Sequence, residues 1–359
     1  GGAGEEPEPP ARGFPEGFVW GAGAAGYPLR VDTEENLAES YFGWEQDVAL
    51  LRRLGLKHYH FTVAWSHIQP SGRGPASPAG IEFYCGLVES LVRQGIEPVV
   101  TLYHWGLPLP LQLEIGGWES PEIVACFADY AREVFRALSI RGARKFVTLQ
   151  EPWCTAILCG GHGTALSYRV GHHLLLAHAA AARVFRKELH LDAQGCEIGI
   201  AINADLALPA PGLERTPAEP GEEEFVVVPE LSRRAAELVQ ASSTGWFAGP
   251  LFAGDYPEAL RAFSGQSQLP VAIGPEERAL LLGSADFLVV QHRSAELVQV
   301  SVPAHLTPPE GGWAAAAEAA NAGTPIWRQA SVKLFKDPSW PTSDAEEEVV
   351  MPWALRDML

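Results

Sequence analysis

Lys145-Phe146-Val147-Thr148-Leu149-Gln150-Glu151-Pro152-Trp153 carries the reading of the fold. Residues 145–149 are a short apolar run bounded by turn-forming residues, suited to a strand buried on both faces. The pattern recurs at 18–22, 59–64, 98–103, 198–202 and 286–290. Between these runs, residues 41–54, 81–94, 121–138, 171–189 and 231–247 space their apolar side chains three and four apart, the stripe by which a helix packs on a sheet. The order is βαβα repeated, which predicts right-handed crossovers and a parallel sheet, either doubly wound or closed into a barrel. Periodicity does not choose between them. Gly21, Gly23 and Gly26 have the wrong spacing for a dinucleotide turn and no phosphate loop follows the first strand, which weakens the nucleotide-binding version.

A chain of 359 residues with 47% hydrophobic content can bury one large α/β domain. Its 26 Lys+Arg against 44 Asp+Glu give a net charge of −18, which argues against a nucleic-acid partner. The five cysteines show neither a disulfide framework nor zinc spacing, and His172-His173, adjacent on a predicted helix, face two directions, so no metal and no cofactor is expected. Residues 1–12 are rich in Gly, Pro and Glu and read as a disordered leader without the apolar core of a signal peptide. No apolar run reaches the roughly 18 residues that a membrane-spanning helix needs. Residues 207–224 and 302–337 read as loops or inserts, and the Ala-rich 314–322 as a short surface helix.

Glu151 is the first candidate for chemistry, because barrels place catalysis at the C-terminal ends of their strands. A carboxylic acid there can protonate a leaving oxygen, and a neighbouring Trp153 would raise its pKa by desolvation. The structural reading of the same residue is a helix N-terminal charge that complements the dipole. Tyr103-His104-Trp105 ends the preceding predicted strand and should share the same mouth. There the imidazole can hydrogen-bond a sugar hydroxyl and the indole can stack on an apolar sugar face, or the pair is a satisfied histidine beside a core tryptophan.

Larger blocks extend these residues. Phe14-Pro15-Glu16-Gly17-Phe18-Val19-Trp20-Gly21, Thr101-Leu102-Tyr103-His104-Trp105, Gln150-Glu151-Pro152-Trp153, Gly245-Trp246-Phe247-Ala248 and Gly254-Asp255-Tyr256-Pro257 occur in an order that resembles glycoside hydrolase family 1, the β-glucosidase, lactase and klotho group. The resemblance implies an α/β fold of the (β/α)8 TIM-barrel type and a retaining mechanism on a β-glycoside. One Glu is then acid/base and a second is nucleophile, the two carboxyl groups roughly 5 Å apart. Glu151 matches the acid/base, and His104, Trp105 and Gln150 match the sugar subsite. The family's nucleophile block lies beyond the match at Pro352-Trp353-Ala354-Leu355-Arg356. The domain over 13–359 is therefore expected to hold about six of the eight βα units, cut before that block.

Four positions depart from the family's pattern: Pro28 stands for a glutamine, His60 for an arginine, Gln150 for an asparagine and Arg293 for a tyrosine. His60 and Arg293 replace groups that hold the nucleophile, and a retaining reaction needs that group closely placed. The loops from Pro28 to Tyr41 and from Trp153 to Gly171-His172-His173 are short. This erosion is similar to klotho-type domains, with Tyr27-Pro28-Leu29-Arg30-Val31-Asp32-Thr33 most similar to the second of them. That resemblance implies a degenerate site, an extracellular or secretory setting, and a co-receptor role with a protein hormone or receptor as the alternative to turnover.

Overall fold

The structure, a computed structural model, describes residues 17–24, 44–211, 215–216, 225–263, 272–306, 312–318 and 331–336. Among these residues the strands are β1 (Gly21–Ala24), β2 (His58–Thr62), β3 (Glu97–Tyr103), β4 (Lys145–Gln150), β5 (Glu197–Asn203), β6 (Leu206–Pro209), β7 (Arg215–Thr216), β8 (Phe225–Val227), β9 (Phe287–Gln291), β10 (Ala295–Pro303) and β11 (Ser331–Phe335). One sheet runs β1-β2-β3-β4-β5-β9 with every neighbouring pair parallel. Each crossover is helical, through Trp44–Arg53, Pro78–Arg93, Ile123–Ser139, Ala165–Arg183 and finally Pro229–Ser242 with Thr244–Phe252. This is a parallel sheet of six strands from an incomplete (β/α)8 barrel, with each predicted strand run in place to within three residues at its edges.

Burial explains the register. Phe146, Val147 and Leu149 of β4 are fully buried, as are Phe127, Val134 and Phe135 on the inner stripe of the helix Ile123–Ser139. Phe135 meets Phe146 and Phe185 edge-on at centroid distances of 5.2 and 5.3 Å, a geometry aromatic quadrupoles favour. Two glycines permit close approaches. A Cβ on Gly199 would lie 2.6 Å from the Phe287 carbonyl across β5 and β9, and one on Gly171 would lie 2.5 Å from the Trp246 ring.

Two helices differ from their predicted spans. The helix expected over 171–189 begins at Ala165, because the Thr164 side chain caps it by accepting from the Ser167 amide at 3.0 Å. The helix expected over 231–247 breaks at Ser243. There Ser242 and Ser243 turn their hydroxyls onto the Val239 carbonyl, and Thr244 donates to Asn203 O at 3.0 Å, so side chains compete for the backbone.

The larger correction concerns the two stretches read as loops. They supply β6, β7, the end of β10 and β11, which join β8 in a second sheet of order β11-β10-β8-β7, with β6 parallel to β10. Val298, Val300 and Val302 of β10 form its core with Leu231 and Ala235 of the helix Pro229–Ser242 and with Ala316 and Ala317. The Ala-rich run does form a helix, Gly312–Glu318, but Ala317 is fully buried against this core and not on the surface. Strands of two to five residues are too short for a period-2 pattern to register. Among the described residues no helix is long and apolar enough to cross a membrane.

Candidate functional site

Strands β3 and β4 run side by side and their C-terminal ends carry the predicted site residues. Glu151 follows β4 with left-handed φ 53° and ψ 52°. Its amide donates to the Ala201 carbonyl of β5 at 3.0 Å, and its own carbonyl accepts from Thr155 N at 3.2 Å, so neighbours hold the conformation on both sides. For a residue with a Cβ that conformation costs about 1–2 kcal/mol, and such strain gathers at functional sites. Among the described non-glycine residues, positive φ occurs at Trp105, Glu151 and His190, and the first two share this mouth.

Glu151 precedes the helix Pro152–Gly160, yet its side chain makes no capping bond. The carboxylate is instead buried between two nitrogens: His104 Nε2 lies 3.1 Å from Oε2, and Arg293 Nη2 donates to Oε1 at 2.6 Å. Glu151 is also the N-cap residue of that helix, so its charge stands at the helix N-terminus as the structural reading expected, without a capping bond. Trp153, expected beside the carboxyl group, donates its indole N–H to Ser242 O at 3.0 Å and packs its ring on His162. Among the described residues, the hydrogen-bond partners of the Glu151 carboxylate are His104 and Arg293.

Arg293 follows β9. Its amide and that of Ser294 both donate to Asp205 Oδ1, at 2.7 and 2.9 Å, which fixes the stem from which the guanidinium reaches back to Glu151. The Arg293 side chain is 66% exposed against 1% for Glu151, so one partner of the pair faces solvent. Asp205 was not singled out in the sequence reading; the polar cluster Asn203-Ala204-Asp205 at the end of β5 was the available signal.

His60 on β2 begins a second polar row. Its Nε2 lies 2.5 Å from Thr101 Oγ1, and the Thr101 hydroxyl donates to Gln150 Oε1 at 3.4 Å. With that proton committed to Gln150, His60 Nε2 is the donor to Thr101. Burial, and secondly the nearby His104, push the His60 pKa down to about 4, so this imidazole is neutral near pH 7. Trp105 is half exposed with its ring centroid 4.8 Å from that of His104, and Tyr103 secures it by donating to the Trp105 carbonyl at 3.1 Å. Pro28 lies outside the described residues. His172 and His173 face apart as expected, the first toward Tyr256 and Glu277 and the second toward the Trp118 carbonyl. Among the described residues no group of three or more His, Cys, Asp or Glu side chains could hold a metal ion.

Three buried side-chain oxygens at this end of the sheet have no hydrogen-bond partner among the described residues: Thr62 Oγ1 on β2, Asn203 Oδ1 on β5 and Gln291 Oε1 on β9. Each such atom costs about 1–3 kcal/mol, and oxygens left unpaired at strand ends can be met by the hydroxyl donors of a ligand.

A parallel β/α-barrel sheet that gathers a buried carboxylate, an imidazole and an open indole at its strand ends has the architecture of barrel glycoside hydrolases. The model of glycosyl hydrolase family 1 matches residues 29–359, and the chain belongs to that family. It is 32% identical over 325 residues to β-glucosidase 6 of Oryza sativa subsp. japonica, a match covering 78% of this chain and 58% of that protein. It is also 32% identical over 330 residues to human lactase/phlorizin hydrolase, covering 79% of this chain and 16% of that one. The chain therefore spans only part of the length of these relatives. Among solved structures, the family 1 β-glucosidase of the fungus Humicola insolens in complex with glucose superposes with a TM-score of 0.70 at 28% identity, over 95% of this chain and 74% of that one.

Proposed function

We propose that this domain recognises a β-glycoside without turning it over, Glu151 standing in the acid/base position but held as a fixed acceptor. One observation carries the reading: the 2.6 Å contact from Arg293 Nη2 to Glu151 Oε1. A guanidinium can only donate, so Oε1 is an acceptor, while Oε2 is engaged by His104. A general acid must instead present a proton to the glycosidic oxygen. The sugar-binding part of the proposal rests on Trp105 as a stacking face, on His104 and Gln150 as hydroxyl partners, and on the unpaired oxygens of Thr62, Asn203 and Gln291. The Humicola insolens relative with glucose bound supports it.

Intact-mass spectrometry after incubation with a 2-deoxy-2-fluoro-β-glucoside tests the loss of turnover. The expected result is an unchanged mass with folding verified by circular dichroism; a gain of one sugar would overturn the proposal. If methyl β-glucoside gives no binding signal and no adduct forms, the klotho-like alternative, a surface for a protein hormone or receptor, takes its place.

A further inference from the structure

The Arg293–Glu151 pair is lopsided. A guanidinium carries five N–H donors in a rigid fork. One of them meets Glu151, and the other four have no hydrogen-bond partner among the described residues. They sit on a side chain that is 66% exposed. The stem is not free to wander, because Asp205 takes both the Arg293 and Ser294 amides. Asp205 spends its Oδ1 on the backbone and no contact joins it to the guanidinium. The cation is therefore anchored at its base, tethered at one nitrogen to the site carboxylate, and open on its remaining edges.

Among the described residues at this mouth, the arginine side chain is that of Arg293. His60 is neutral near pH 7 and is turned toward Thr101, and Gln150 carries no charge. Glu151 is already matched to the guanidinium, so an incoming anion meets a compensated carboxylate and not a bare one. The open edges of a guanidinium match a planar carboxylate with two parallel hydrogen bonds. Across His104, which touches Glu151 on one side and Trp105 on the other, the same mouth offers an aromatic face for a pyranose ring.

We infer that the glycoside this site prefers is acidic, a sugar whose carboxylate docks on the open edges of Arg293 while its ring lies on Trp105. The inference rests on the sugar-binding proposal above and names the substrate class within it.

Dissociation constants for methyl β-D-glucuronide and methyl β-D-glucoside, measured by ligand-observed NMR on the full chain, test it. The expected result is at least tenfold tighter binding of the glucuronide at low ionic strength. That preference should fall to unity or below in Arg293→Gln, where Glu151 is left to repel the ligand, and should increase in Glu151→Gln, where the competing carboxylate is gone. The two variants move the ratio in opposite directions, which a general loss of folding cannot imitate. Equal affinities in the unaltered protein, or a preference that survives Arg293→Gln, would overturn the acidic-sugar inference and leave neutral glycoside recognition standing. Binding of neither sugar would overturn both.

Discussion

Two polar networks start three residues apart, at Thr148 on β4 and at Glu151 just past its end, and they are built on opposite terms. The Thr148 hydroxyl lies 2.6 Å from His178 Nδ1, and His178 Nε2 lies 3.0 Å from Ser284 Oγ. Ser284 in turn donates to the Leu281 carbonyl at 2.6 Å. With that proton committed, Nε2 donates to Ser284, and in a neutral ring Nδ1 accepts from Thr148, whose hydroxyl also lies 3.3 Å from the Gly199 carbonyl. All three side chains are buried, and burial drives the His178 pKa down to about 3, which keeps the network uncharged. At Glu151 the charge is buried, the backbone is left-handed, one partner faces solvent, and nearby oxygens lack partners. A closed neutral network stabilises the fold; an open charged one costs stability and is explained by what it binds.

The largest expected effect is on acid stability. In the unfolded chain His178 titrates near 6.5, whereas in the folded chain it takes a proton only near 3. Between those values the unfolded state binds the extra proton, so the contribution is fully present above pH 6.5 and is lost as pH falls toward 3. The loss amounts to something on the order of 4 kcal/mol. His60 adds to it in the same direction down to about 4. Urea denaturation between pH 7 and pH 4 should show this slope, and a flat profile would break the contrast. At pH 7, His178→Ala should lower stability by about 3 kcal/mol, since it opens a cavity in the buried core and removes the hydrogen bonds that link the ring to Thr148 and Ser284. The smallest effect sharpens the comparison by its sign. Glu151→Gly removes a buried charge and a strained φ, so the protein should gain about 1 kcal/mol of stability in urea denaturation. A loss of stability there would place Glu151 with the scaffold.

The barrel sheet was legible because each of its strands is a compact apolar run and each connection a helical stripe, both signals local to a few residues. The second sheet was not, although Val298-Gln299-Val300-Ser301-Val302 alternates cleanly between apolar and polar side chains and could have marked β10. Its partners are short and lie far apart in the chain, as the pairing of Ala295 with Leu206 shows. At the site, Glu151, His104 and Gln150 were legible as strand ends. Arg293 was legible as an unusual residue, but its contact with Glu151 spans 142 positions, and no pattern within one segment announces a pairing of that range. The same holds for Asp205, which acts through the backbone of residues 88 and 89 positions away.

The central claim is that the mouth of the barrel holds a glycoside without cleaving it. Saturation-transfer NMR on one sample of the protein with an aryl β-glycoside follows both events, since bound ligand gives a difference signal and released sugar gives its own anomeric resonances. The account predicts a transfer signal that is lost in Trp105→Ala, with no free sugar after prolonged incubation. Steady release of sugar that depends on Glu151 would contradict it.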